Sequence, residues 1–252
     1  MLGKGKAAAA TDADLARLAD SLQVHPADLE AIAQVESAGF GWFPDGRIKI
    51  LFEKHWFYKF LPEAIRTNAM KSGLARKGWI SPKNGGYKDQ AKASERYKLL
   101  ERAIKIDREA AFKSVSVGTF QIMGFNHGIC GHQSAEGMFS AFCEGELYQL
   151  SALAGFLTAN GLLPAIRARD FIKVETVYNG GGLDGAYAKK MREASDKLRV
   201  GKWKDYRPSG AEAAPVPAEP VAKIEQGPVP GGNWLEKLLA ALARLIVKGW
   251  RP

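Results

Sequence analysis

The residues that could do chemistry begin with Glu36. It follows Leu29, Ile32, Ala33 and Val35, which recur at helical spacing. Gly39 and Gly41 then mark the helix end. A carboxyl there faces the negative end of the helix dipole and is partly shielded from water. Both effects favour its neutral form, which a general acid needs near neutral pH. Taken alone, a glutamate near a helix end is more often a surface residue. Three further groups stand out: Glu53 after an alternating segment, Gly118-Thr119-Phe120-Gln121-Ile122-Met123, and Tyr178-Asn179-Gly180-Gly181. Glu53 is either a second working carboxylate or a structural partner of Lys54, Arg47 or His55. Asp45 is a weaker second carboxylate. His127, Cys130 and His132, with Cys143, give a metal-like spacing. It does not match a pair of zinc knuckles. Two small buried thiols are the better reading, with no metal and no cofactor expected.

These residues need elements to position them. Thr11 or Asp12 caps a first helix carrying Leu15, Leu18, Ala19 and Leu22, and Pro26 opens a second that leads to Glu36. Phe40 to Phe43, the turn Pro44-Asp45-Gly46 and the alternating Arg47 to Phe52 predict a hairpin, with Glu53 closing its second strand. Helices are predicted over 54–65, 88–113, 146–160 and about 185–200, with a loop from Gly73 to Gly86. Residues 114–125 read as a small, glycine-punctuated apolar segment. Trp42, Phe43, Trp56 and Phe57 read mainly as core. The expected fold is mainly α, with a small β-hairpin sheet.

The three segments, in this order, resemble the motifs of the lysozyme-like superfamily, which includes goose-type lysozymes and soluble lytic transglycosylases. QVESAGFGWFPDGRIKILFEKHWFY, SVSVGTFQIMGFNHGICG and YNGGG are most similar to the N-acetylmuramidase catalytic domain of phage endolysins. The resemblance runs over roughly residues 10–205. It departs at Val117, where an aromatic residue often stands, and at Gly181, where proline is common. It implies a lysozyme-like α+β fold and cleavage of the glycosidic bond after N-acetylmuramic acid in peptidoglycan. By the same resemblance Glu36 is the proton donor and Glu53 the candidate second catalytic carboxylate. Ser37, Gln121, Tyr178 and Asn179 become substrate-side candidates. A tight interior turn is the alternative for Gln121, Tyr178 and Asn179. One or two of the four aromatics would stack on sugar faces.

Composition sets the frame. The chain is 46% hydrophobic and 25% charged, with 36 Lys and Arg against 27 Asp and Glu, a net charge of +9. That excludes wholesale disorder and favours anionic partners. Six of the 12 prolines lie between Pro208 and Pro230. The expected organisation is a basic catalytic body at 1–207, a disordered Pro/Ala-rich linker at 208–232 and a basic amphipathic helix at 233–252. On that helix Trp234, Leu238, Leu242 and Leu245 form an apolar stripe, and Lys237, Arg244 and Lys248 lie mostly off it. Such a helix suits an anionic membrane or lipopolysaccharide surface. Docking back on the body, or self-association, is its alternative. The apolar run at Ala7 to Ala10 is too short for a signal-peptide core. Synthesis in the host cytoplasm, then action on the wall after release, is expected. A monomer without nucleic-acid partners is expected as well. Two rival functions stay open: a lytic transglycosylase giving 1,6-anhydro products, and a non-catalytic wall- or membrane-binding permeabiliser.

Overall fold

The computed structural model describes residues 1–36, 41–179 and 185–208. Its elements, in chain order, are α1 (Asp12–Ser21), α2 (Pro26–Glu36), β1 (Ile50–Phe52), α3 (Lys54–Phe60), α4 (Glu63–Lys71), α5 (Ala93–Ile104), α6 (Arg108–Lys113), β2 (Val115–Val117), β3 (Ile122–Met123), α7 (Ala135–Glu144), α8 (Glu146–Ala159), α9 (Leu163–Arg167), α10 (Phe171–Asn179) and α11 (Ala186–Val200). Short 3-10 turns occupy Pro82–Asn84, Lys88–Gln90 and Gly124–Asn126. The fold is mainly helical with one small antiparallel sheet. Among the described residues, no helix is long and apolar enough to cross a membrane. The linker and tail, with Trp234, Lys237, Leu238, Leu242, Arg244, Leu245 and Lys248, lie outside the described residues.

The body expected over 1–207 divides into two compact units. One comprises Met1–Ala8 with Gly39–Gln149, and the other Ala9–Ala38 with Leu150 and the described residues that follow it.

In the first unit the sheet has the order β1-β2-β3, with Ile50 opposite Val117 and Ser116 opposite Met123. The glycine-punctuated stretch at 114–125 is therefore a hairpin of its own. The earlier hairpin forms around the expected turn: Trp42 bridges Ile48, and Phe43 N–H donates to Arg47 O at 2.8 Å. Asp45 closes that turn by accepting the Arg47 amide at 3.0 Å and its guanidinium at 2.6 Å. β1 needs partners on its other edge, and side chains supply them. Gln90 accepts from Phe52 N–H at 2.9 Å and donates to Phe52 O at 2.8 Å. Arg96 donates to Ile50 O at 2.9 Å. An amide that donates and accepts mimics a neighbouring strand and satisfies the edge. Phe52, Phe57, Tyr97, Phe112 and Phe142 fill the core.

The helix expected over 88–113 is broken at 105–107. Asp107 accepts the Ala110 N–H at 2.9 Å and starts α6 afresh. The helix expected over 54–65 stops at Phe60, because the residue before Pro62, the C-cap Leu61, turns extended, and Pro62 caps the separate helix α4. Helices α7, α9 and α10 were not expected.

In the second unit, α1 starts on a capping box. Asp14 N–H donates to Thr11 Oγ1 at 3.1 Å, and Thr11 N–H donates to Asp14 Oδ2 at 2.9 Å. α2 opens at Pro26, and the Ala27 N–H is taken by His25 Nδ1 at 3.1 Å. Leu29, Ala31 and Ile32 are wholly buried, as are Ala152, Leu153 and Leu157 of α8. A helix apolar on most faces is a core helix. The core of this unit therefore ends, along α2, at Glu36.

Candidate active site

Glu36 is the last residue of α2 and is 2% exposed. The expected place at a helix end is observed, and the side chain is more deeply buried than partial shielding implied. Ser37 lies outside the described residues. Tyr178 and Asn179 are the last two residues of α10, and their side chains also lie outside the described set.

Glu53 sits at the N-cap of α3 and is 4% exposed. The Tyr87 hydroxyl lies 2.9 Å and 2.8 Å from its two carboxylate oxygens and donates to them. Trp79 Nε1 donates in turn to the Tyr87 oxygen at 2.9 Å. His55 Nδ1 stands 3.2 Å from Glu53 Oε2. Of the three structural partners expected for Glu53, His55 is the one at its side. Lys54 pairs with Asp89 at 2.5 Å and Arg47 with Asp45. Burial, with the Glu53 charge beside it, pushes the Tyr87 phenol far above its ordinary value. Tyr87 therefore stays a donor to Glu53 across the working pH range. It was not singled out in the sequence, since a lone tyrosine in a loop carries no spacing signal.

Gln121 occupies the β2–β3 turn with a φ of 48°, left-handed for a residue that has a Cβ. Its amide secures the turn. Nε2 donates to Gly118 O at 2.8 Å, and Oε1 accepts from Ser116 Oγ at 3.0 Å. The side chain is 3% exposed. The interior-turn alternative thus describes its geometry.

A second glutamine, absent from the sequence expectations, holds the same turn from outside. Gln149 is wholly buried. Its Oε1 accepts the Thr119 N–H at 2.6 Å, and its Nε2 donates to Phe142 O at 3.2 Å. Gly118 has a φ of 77°, and a Cβ built there would stand 2.4 Å from Gln149 Oε1. The motif's first glycine is thus required twice, by backbone conformation and by the approach of Gln149. The available signal was a bifunctional amide at the start of a strongly apolar helix.

Of the four aromatics, Trp42 and Phe57 are buried, as expected. Trp56 is half-buried and packs on Phe60 at 5.7 Å and Phe125 at 4.7 Å. Cys130 and Cys143 are buried free thiols, both pushed up to about 12 by burial. No group of metal-ligating side chains occurs among the described residues.

Comparison with known proteins follows the same outline. A family model described as Muramidase, N-acetylmuramidase, matches residues 25–199. Among solved structures, the crystal structure of the Burkholderia AP3 phage endolysin is similar at 36% sequence identity. The match covers 76% of this chain and 72% of that one, with a TM-score of 0.66. Among curated proteins, none matches.

Proposed function

We propose a function from one premise: the chain belongs to the N-acetylmuramidase family and is a lysozyme-type glycoside hydrolase. Its substrate is the peptidoglycan glycan strand, cut after N-acetylmuramic acid, and its role is that of an endolysin. The observation that carries the reading is the family match across residues 25–199, with Glu36 buried at the end of α2 inside it. The similarity to a phage endolysin supports the biological setting.

In this reading Glu36 is the general acid. It gives its proton to the glycosidic oxygen as the bond from that oxygen to the anomeric carbon breaks. The leaving sugar departs with a hydroxyl. Water supplies the hydroxyl that ends on the anomeric carbon, and its remaining proton restores Glu36. Tyr178, Asn179 and Ser37 contact the sugars. Gln121 and Gln149 act by holding the turn in shape. Glu53, with both oxygens engaged by Tyr87, serves as a buried anchor rather than as the second catalytic carboxylate. The test is mass spectrometry of muropeptides from purified sacculi. Reducing N-acetylmuramic acid ends are expected. Anhydro ends would make the enzyme a transglycosylase, and intact strands would leave a binding protein.

The tail at 233–252 is proposed to bind anionic lipid, at the inner membrane or at lipopolysaccharide, from the cytoplasm-made enzyme after release. Its support is sequence alone: Trp234, Leu238, Leu242 and Leu245 on one stripe, with Lys237, Arg244 and Lys248 beside it. Deleting 233–252 is expected to leave lysis of permeabilised cells unchanged and to reduce lysis of intact cells about tenfold or more. Equal lysis of intact cells by both proteins would remove the tail from the mechanism.

A further inference from the structure

Between Gly73 and Lys88 the chain carries Arg76, Lys77, Lys83 and Lys88 and no acidic residue. This loop belongs to the first unit and is folded tightly on itself. Gly86 N–H donates to Ser81 O at 3.0 Å, and a Cβ built at Gly86 would stand 2.0 Å from Ile80 O. Its base is fixed to the start of α3. Arg76 N–H donates to Lys54 O at 3.2 Å, and Lys54 Nζ donates to Asp89 at 2.5 Å. Lys77, Gly78, Ile80 and Lys83 are exposed, and Trp79 is half-buried.

The Trp79 ring is held in one orientation by a chain of hydrogen bonds. Its Nε1 donates to the Tyr87 oxygen at 2.9 Å, and the Tyr87 hydroxyl donates to Glu53, whose oxygens lie at 2.9 Å and 2.8 Å. Glu53 is buried, and its own N–H donates to Ser114 O at 2.8 Å. A carboxylate on the rigid sheet-to-helix junction thus aims an indole on the loop. An aromatic ring fixed in advance loses little entropy when a ligand settles on it.

Arg76 packs on the same tyrosine, with its guanidinium carbon 5.5 Å from the ring centre. Its Nη1 donates to Gly86 O at 2.7 Å. Its Nε and Nη2 are buried and meet no acceptor among the described residues. Those two donors form the guanidinium edge that grips a carboxylate through two parallel bonds. Donors shielded from water without an acceptor are costly, so an anion that reaches this edge is favoured.

We propose that Trp79 and Arg76 form a binding site for an acidic amino-sugar unit of the glycan strand, with Tyr87 and Glu53 as positioning residues. The inference rests on the muramidase reading and gives Glu53 a task within it. The indole takes the apolar C–H face of a pyranose ring. The Arg76 fork turns to a carboxylate on the lactyl-peptide arm of N-acetylmuramic acid, a group that N-acetylglucosamine lacks. Lys77 and Lys83 add a positive field that suits the same anion. Tyr87 and Glu53 touch no sugar in this account and act through Trp79.

The test is calorimetric binding of soluble glycan strands, in a Glu36→Gln background that stops turnover. Two probes are compared: native strands, and strands whose carboxylates have been amidated. Trp79→Ala is expected to weaken binding of both probes about tenfold. Arg76→Gln is expected to weaken native strands about tenfold and to leave amidated strands within about twofold. Tyr87→Phe cuts the chain to Glu53. In the active enzyme it is expected to raise KM about threefold with kcat within about twofold, a split that general loosening of the fold would not give. Trp79→Phe and Arg76→Lys keep a ring and a charge, and stand in with losses of about threefold if the first variants do not fold. Trp79→Ala binding native strands within about twofold, or no binding by the unsubstituted protein, would overturn the site. Equal losses on both probes in Arg76→Gln would remove the carboxylate from it. Failure of the muramidase reading looks different: no cleavage by wild type, with strand binding still lost in Trp79→Ala.

Discussion

Glu36→Gln is expected to lower the release of reducing ends from purified peptidoglycan by about a thousandfold. The side chain is buried at the end of a helix whose preceding residues form the unit's core. Glutamine matches glutamate in shape, so packing along α2 is preserved. In the proposed mechanism, what disappears is the proton that the leaving oxygen needs. Without it the sugar departs as an alkoxide, and no neighbouring donor is assigned to replace the carboxyl. Glu53→Gln makes the contrasting experiment. Glutamine keeps a carbonyl oxygen able to accept from the Tyr87 hydroxyl, so the Tyr87–Trp79 arrangement survives in part. A loss of about tenfold or less is expected, as for a structural anchor. If Glu53→Gln fell as far as Glu36→Gln with its fold intact by circular dichroism, Glu53 would return as the second catalytic carboxylate. If Glu36→Gln stayed within about tenfold of wild type, the general acid would lie elsewhere.

The second large effect concerns stability. Gln149→Leu is expected to cost about 3 kcal/mol in chemical denaturation. Leucine fills most of the volume, so cavity formation is a minor part of the loss. The Thr119 amide, however, loses its acceptor at 2.6 Å, and the Phe142 carbonyl loses its donor at 3.2 Å. Both bonds end on a wholly buried side chain, where an orphaned partner cannot turn to water. Gly118→Ala attacks the same contact from the other side. It puts a methyl 2.4 Å from Gln149 Oε1 at a backbone angle disfavoured for side chains. The two substitutions disrupt one contact, so the double variant should cost clearly less than the summed single losses. A Gln149→Leu protein within about 1 kcal/mol of wild type would show that the turn does not depend on this clamp.

Local patterns in the sequence carried much of the architecture. The apolar period through Leu29, Ile32 and Ala33 is written in consecutive residues, and so is the cap at Thr11. The turn at Asp45-Gly46 is equally local. Each becomes a described element because short-range sterics and hydrogen bonding suffice to form it. Residues 114–125 were harder to read. Two-residue and three-residue strands are too short to show a period, and their pairing with Ile50–Phe52 spans more than 60 positions. Gln90 and Gln149 were invisible for a related reason. An amide side chain announces neither which backbone group it will meet nor how far away that group is in the chain.

The sequence by itself determined the kind of chemistry and nominated Glu36 as its proposed carrier. Glu36 at a helix end, followed in order by the Gly118–Met123 and Tyr178–Gly181 segments, resembles the motifs of a muramidase, and the family match over residues 25–199 agrees with that family. Only the tertiary structure decided how the supporting residues are used. It turned Gln121 inward to secure its own turn, tied Glu53 to Tyr87, and tied Tyr87 to Trp79. Residue type limits what a side chain can donate or accept. Which partner it meets depends on burial, since a polar group removed from water must be satisfied by whatever the fold places beside it.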